Sequence, residues 1–433
     1  MTYDSDALNA SIKAAIAEAN DDLRALSMSI HGKPELAWEE HHAHDVLTAY
    51  MEKQEGFVVE RKICQLDTAW RASFGSEGPL IGFCSEMDAL PGIGHACGHN
   101  LIAIAGCAAA IGVARALREH KLPGRVVLLG TPAEESGGGK CLMLERGAFD
   151  GMDACLMVHP GPRGNGAAAM TSTCRTGVTV AYSGRSAHAG GAPEKGINAL
   201  DAAVQGYVNV STLRQQLPTT TRVHGIIAGG EHWAPNAIPA SSKLLYGIRA
   251  PSAKDLAPLV PRVLACFASG ALATGCTYTT EGQHLYLELQ QNSGLSGVFK
   301  SFSEGEWGDE GYEVPAGMTT TASTDFGNVS YHVPALHPMF LLPSASPEDF
   351  PHSSSFADAA STPSAHQAAL RAAEGIAVAG LRVVVDESFR NQIRKEWEAD
   401  MAASGAEEAI KQIREALPAT GEPVKGGFCS CDH

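Results

Sequence analysis

A chain of 433 residues, 44% hydrophobic and 18% charged, is too long for one small core and too apolar to stay disordered. Its net charge of −16 argues against nucleic acid or an anionic membrane surface as the main partner, so an anionic ligand would need cations supplied by its own site. The start, MTYDSDALNASIKAAIAEANDDLRAL, does not read as a signal peptide, no apolar run reads as reaching the roughly 18–20 residues that span a bilayer, and the 11 cysteines form no disulfide-like framework; these features predict a cytoplasmic protein.

In chain order, residues 5–53 carry helical periodicity, broken at HGKPEL by Gly32 and Pro34. PLIGFCS reads as a buried strand running into Glu86 and Asp88. GIGHACGHN, residues 92–100, then sets Cys97 and His99 two residues apart where an Ala-rich helix over 100–120 begins. Asn100 is the expected N-cap of that helix, and Leu101, Ile104, Ala105, Ala108 and Ile111 form its apolar side. GRVVLLG reads as a strand ending in TPAEES, with Glu134 and Glu135, and DACLMV as one ending at His159. Further on, HPMFLLP leads through a loop to His352 and a helix over 363–382.

Between these lies a separate block. GVTVAYSG, TRVHGIIAGG, SKLLYGIRA and CTYTTE read as strands, and two helices, INALDAAVQGYVNVSTLRQQ and LAPLVPRVLACFASGAL, complete a β-α-β-β-α-β order. That is a ferredoxin-like split unit able to fold on its own. The fold expected is therefore α/β with two domains: a mixed-sheet domain formed by 1–171 and 284–415, interrupted by the insertion 172–283, with 416–433 as an irregular tail. The tail's Cys429, Cys431 and His433 could hold a metal, but read as a frayed end.

In an open α/β sheet, ligands gather beyond the carboxyl ends of strands. Cys97, His99, Glu135, His159 and His352 all fall at strand or loop ends, and thiolate, imidazole and carboxylate are the donors of zinc and neighbouring divalent ions. Five donors exceed the three or four of a mononuclear site and point to two metals sharing a ligand. In the Glu134-Glu135 doublet, one carboxylate can then bind metal while its neighbour serves as general base and later as proton donor. SGGGK lacks the Ser/Thr and the first Gly of a P-loop, GIGHAC has Cys97 at the third glycine position of a dinucleotide fingerprint, and no GxSxG elbow occurs. A nucleophilic Cys97–His99 pair stays open as an alternative.

These residues resemble the di-metal aminoacylase, carboxypeptidase and amidohydrolase family over nearly the whole chain. IHGKPELAWEEHHAHDVL is similar to the N-terminal signature of the auxin-conjugate and hippurate hydrolase branch. EMDALPGIGHACGHN, TPAEESGGGK, AHAGGAPEKGINALDA, PNAIP and PHSSSFADAA follow in the family's order. DALPGIGHACGHN and STDFGNVS resemble most the β-alanyl-dipeptidase-like and p-aminobenzoyl-glutamate hydrolase-like members. The resemblance implies Cys97 as bridging thiolate, with His99, Glu135, His159 and His352 completing two metal shells. It implies Glu134 as base, Asp88 as the residue orienting the metal-side groups, and His188 as the group holding the oxyanion, from its own or a partner subunit. Asn236 and Arg249 fall at substrate-binding positions, and the insertion would be a lid and dimerisation domain of a homodimer.

The chain departs from the family's pattern at Glu86, which stands where relatives have Asp or a ligand His, at Asn100 and at HSSSF; His95 and Asp325 lie within motifs without an assigned role. The expected activity is metal-dependent hydrolysis of an amide bond in an N-acyl amino acid or dipeptide. A thiolate donor favours zinc, with manganese or cobalt as alternatives. The rival readings are a catalytically silent ligand-binding or scaffold homologue and a hydrolase using Cys97.

Overall fold

The computed structural model describes residues 4–162, 169–307, 321–342 and 350–417, so the Cys429, Cys431 and His433 tail lies outside the described residues. The first helix, α1 (Ser5–Glu18), opens on Asp4, whose carboxylate accepts the amides of Asp6 and Ala7. α2 (Asn20–His31) ends at Gly32, and the chain stays non-helical through Pro34 until α3 (His41–Met51). Then follow β1 (Phe57–Arg61), β2 (Trp70–Phe74), β3 (Leu80–Glu86), α4 (His99–Glu119), β4 (Arg125–Thr131), α5 (Gly139–Glu145), β5 (Ala154–Leu156) and β6 (His159–Gly161).

The middle of the chain forms its own layer. β7 (Cys174–Ser183), α6 (Ala199–Leu213), β8 (Arg222–Ala228), β9 (Ser241–Ala250), α7 (Ala253–Leu256), α8 (Leu259–Thr274) and β10 (Thr277–Gly282) follow the order read from the sequence. The four strands make an antiparallel sheet in the order β10-β7-β9-β8. Alternate residues of β9, such as Leu244, Tyr246 and Ile248, are buried under the helices, as a sheet covered on one face requires.

The remainder returns to the first half through α9 (Ser293–Trp307), α10 (Phe326–Ser330), β11 (Ala335–Leu336), β12 (Met339–Leu341), α11 (Ser354–Ala360), α12 (Pro363–Val385), α13 (Glu387–Ser404) and α14 (Ala406–Ala416). The main sheet is mixed, in the order β1-β2-β4-β3-β5-β11. β3, β4, β5 and β11 run parallel, and β1 and β2 add an antiparallel edge. α4 and α12 cover it, and their alanines and glycines let them pack closely on each other and on β3. α14 departs from the expected division: its Ala406, Ala409 and Ile413, with Leu417, join the core of the inserted layer rather than the main one.

Two expectations about α4 are corrected. Asn100 is not its N-cap; Gly98 is, at φ +80°, where a Cβ would lie 2.5 Å from Pro160 Cγ. Asn100 lies inside the first turn, its amide donating to Ser27 Oγ (3.0 Å) and Ala360 O (3.2 Å). α4 and the stretch Ala253–Thr274 are also long and apolar enough, by length and composition, to cross a membrane. Alanine-rich packing explains α4, most of whose side chains are buried within the main core, whereas 253–274 is two helices broken near Pro258 that lie on the second sheet.

Gly106 is where α4 meets β3 most closely: a Cβ there would stand 2.6 Å from both Cys84 O and Ser85 Oγ. Gly106→Ala is expected to push the helix off the strand and to lower stability by about 1–3 kcal/mol, read as a lower denaturation midpoint.

Candidate metal centre

Asp88, just beyond β3, organises the site. Its carboxylate accepts the amide of Glu134 at 3.1 Å, that of Glu135 at 3.0 Å, and His99 Nδ1 at 3.2 Å. With Nδ1 committed outward, His99 presents Nε2 to the centre. His159, at the start of β6, is set the same way, its Nδ1 donating to Pro160 O at 2.7 Å and its Nε2 lying 3.4 Å from Cys97 Sγ. His352 sits at φ +77°, tied through its amide to Ala96 O at 2.8 Å, with Nε2 3.4 Å from Glu135 Oε1. The doublet leaves β4 through Ala133 at φ +57°, whose amide donates to the buried Glu40 carboxylate at 2.8 Å.

These side chains converge. Cys97, His99 and His159 form one group of donors, Cys97, Glu135 and His352 a second, and His99, Glu134 and Glu135 a third, each with ligand atoms within 4.8 Å of one another. Glu86, Glu134 and Asp325 make a fourth. The donor set fits divalent ions, and so does an anomaly of the protein alone: His99 Nε2 and Glu86 Oε2 are fully buried, 3.4 Å apart, and neither makes a well-formed hydrogen bond.

Electrostatics separates the carboxylates. Burial works to raise Glu135, but His352 and His99 outweigh it and hold it at about 2; burial likewise opposes Glu86, which Lys140, His99 and His159 hold at about 2. Glu134 goes the other way, pushed up by burial and by the carboxylates of Glu86, Glu135 and Asp325, as suits a proton carrier. Burial and the carboxylates of Glu135, Glu134 and Glu86 push the Cys97 thiol well up as well, which disfavours it as an independent nucleophile.

Of the residues singled out in the sequence, Asp88, Cys97, His99, Glu134, Glu135, His159 and His352 come together, with Glu86 and Asp325 beside them. Glu86 and Asp325 share Lys140, each 2.6 Å from its Nζ. His95 is buried next to His31, with ring centroids 6.2 Å apart. His188 and Asn236 lie together on the inserted layer, both exposed and joined by Ala189 N donating to Asn236 O at 2.9 Å, and the hydrogen bonds of the His188 ring are local, from the amides of Gly190 and Gly191. Arg249, on β9, donates to Thr321 O and Ser323 Oγ, just ahead of Asp325. Sequence reasoning missed Glu40, Lys140, Arg175, Tyr286 and His337, whose ring packs 5.7 Å from that of His159. Lys140 lay in the Gly-Lys of a motif set aside as a failed P-loop, and Glu40 and His337 lay in the stretches IHGKPELAWEEHHAHDVL and HPMFLLP, where nothing marked them out.

Thiol, imidazole and carboxylate donors gathered past the strand ends of a mixed α/β sheet, beside a glutamate pushed toward its protonated form, are the equipment of a metallohydrolase. Residues 82–374 match Peptidase family M20/M25/M40. The chain is 42% identical to the human Xaa-Arg dipeptidase over 402 residues, covering 88% of this chain and 90% of that one. It is 34% identical to a p-aminobenzoyl-glutamate hydrolase chain of Escherichia coli over 265 residues, covering 56% and 54%. Its fold matches that of an aminobenzoyl-glutamate utilization protein from Klebsiella pneumoniae (TM-score 0.66, 17% identity, 87% and 99% covered). It also matches a dinuclear metal-binding peptidase from Bacillus subtilis (TM-score 0.62, 19% identity, 86% and 99% covered). The protein belongs to Peptidase family M20/M25/M40. It is a metal-dependent hydrolase of amide bonds.

Burial and the neighbouring Asp88 raise Glu40 to about 8. A carboxyl raised on folding contributes stability that is complete below its unfolded pKa, near 4.5, and is lost as pH rises through about 8. Unfolding of the chelated protein should therefore show stability falling across that window, by up to about 1.4 kcal/mol per pH unit, and Glu40→Gln should flatten this part of the profile. Lys140→Met should cost about 3–5 kcal/mol in the same assay, because it leaves Glu86 and Asp325 buried side by side without their cation.

Proposed function

We propose that the centre holds two divalent ions, zinc by the preference of its thiolate donor, and that the protein cleaves dipeptides with a free carboxylate and a cationic C-terminal side chain. One observation carries the two-ion reading: Cys97 belongs to two donor groups, with His99 and His159 on one side and with Glu135 and His352 on the other, which is where a bridging ligand must stand. Bound there, the ions supply an activated water and polarise the scissile carbonyl. Glu134 takes the proton of the attacking water and delivers it to the leaving amine, a cycle for which its raised pKa suits it. Asp88 keeps His99 and both glutamates aimed while this happens.

Substrate recognition falls to the inserted layer, read here as a ferredoxin-like lid. Arg249 and Arg222 lie abreast on β9 and β8, so cations that an anionic group requires stand side by side there despite the overall charge of −16. That same negative field draws in a substrate with a basic side chain, in keeping with the Xaa-Arg dipeptidase at 42% identity. His188 accepts the amides of Gly190 and Gly191 at Nδ1, so its Nε2 carries the proton and donates to the oxyanion. We read the protein as a homodimer joined through this layer, where Val204, Tyr207, Val208 and Leu272 are exposed.

Elemental analysis is expected to give about two metal ions per chain. A chelator should abolish hydrolysis of Xaa-Arg and Xaa-Lys dipeptides, and added zinc should restore it. Hydrolysis of these dipeptides no faster than of Xaa-Glu would remove the substrate assignment. Glu134→Gln should lower kcat about 10²- to 10⁴-fold while keeping its metal. Mixing inactive His188→Ala and Glu134→Ala protomers tests where His188 acts: recovered turnover means that it serves the partner's site, and none means that it serves its own.

A further inference from the structure

The backbone that carries Glu134 and Glu135 belongs to neither a helix nor a strand. It leaves β4 through Ala133 at φ +57° and enters α5 through Gly138 at φ +65°. Asp88 holds the amides of the doublet from one side. Its carbonyls are held from the other. The phenol of Tyr286 donates to Glu134 O at 2.7 Å and accepts the amide of Gly138 at 2.8 Å, so one hydroxyl closes the turn across residues 134–138. Arg175 lies over the Tyr286 ring, its guanidinium carbon 4.2 Å from the centroid, and Nη2 reaches Glu135 O at 3.5 Å. Both side chains are buried.

Arg175 and Tyr286 also lie on the two crossings between the halves of the molecule. The backbone of each bonds the other twice, Arg175 N to Tyr286 O at 2.8 Å and Tyr286 N to Arg175 O at 2.9 Å. Gln283 N to Gly177 O and Leu289 N to Ser172 Oγ extend the pairing in both directions. The strut that joins the layers therefore ends on the turn that aims the base.

We propose that Tyr286 is a positioning residue for the base, held by Arg175, and that through this pair the hinge between the layers sets the orientation of the Glu134 carboxylate; this rests on Glu134 being the base. Neither side chain is a metal donor, so the effect belongs in turnover and not in metal or substrate affinity.

The test is Tyr286→Phe, which keeps the ring under Arg175 and removes only the hydroxyl. The expected result is a kcat lower by about 10- to 100-fold, with KM within about two-fold, unchanged metal content, and faster hydrogen exchange at the Gly138 amide, which loses its acceptor. Arg175→Lys keeps the charge without the planar stack and should lower kcat in the same way but less. Parental kcat in Tyr286→Phe beside an inactive Glu134→Ala overturns the clamp alone. Parental turnover in Glu134→Ala overturns the base, and the clamp with it. Loss of metal from Tyr286→Phe makes Tyr286 a scaffold of the donor set and also overturns the proposal. If Tyr286→Phe does not fold, parental kcat in Arg175→Lys decides against it.

Discussion

The site depends on one buried carboxylate accepting three bonds from two parts of the chain. Asp88 is 1% exposed, and its oxygens are taken by two consecutive amides and one imidazole. Three hydrogen bonds to one buried carboxylate leave little freedom to what it binds. It sets the tautomer of His99 and orients the doublet at once, so the donor from α4 and the carboxylates after β4 are placed by the same atoms. Parallel pairing of β3 with β4 makes this possible, because it brings residues 46 and 47 positions apart in the chain to neighbouring strand ends.

Charge accumulates around this point. Glu40, Glu86, Asp88, Glu134, Glu135 and Asp325 are all buried, and Lys140 is the fully buried ammonium that answers them. Burial first, and then each neighbouring carboxylate, makes ionisation harder, and the result is the upward displacement of Glu134 and Glu40. Such a cluster is a poor way to stabilise a fold and a good way to attract divalent cations. The protein keeps the chemistry and fixes the cost locally, with Lys140 clamped between β3, α5 and the turn into α10.

The candidate donors were legible because metal-binding chemistry restricts residue type so severely that Cys97, His99, Glu135, His159 and His352 stand out wherever strands end, and the fold brings them together. The alternating strands of the inserted layer and the long helices were legible for the same kind of reason, a period imposed by burial. Residues that act through the backbone were not. Tyr286 and Glu40 bind a carbonyl and amides of a turn more than 90 positions away, contacts that any of several residue types could make. Asn100 was misread because side-chain preference favours it as a cap, whereas the crowded approach of Pro160 demands the glycine two positions earlier. α4 has the hydropathy of a membrane helix because small residues that permit close packing are also apolar.

α14 ties the inserted layer to the far end of the chain. Its strands and two main helices are complete by residue 282, yet Ala406, Ala409 and Ile413 of α14, with Leu417 just beyond, also join its core against α7 and α8. More than a hundred residues separate β10 from these side chains, and they include β11, the last strand of the main sheet, and the long helix α12 that covers it. The two layers are therefore not independent units in sequence. The second is sealed from behind by a helix that follows the last elements of the first, so its core is complete only with α14 in place.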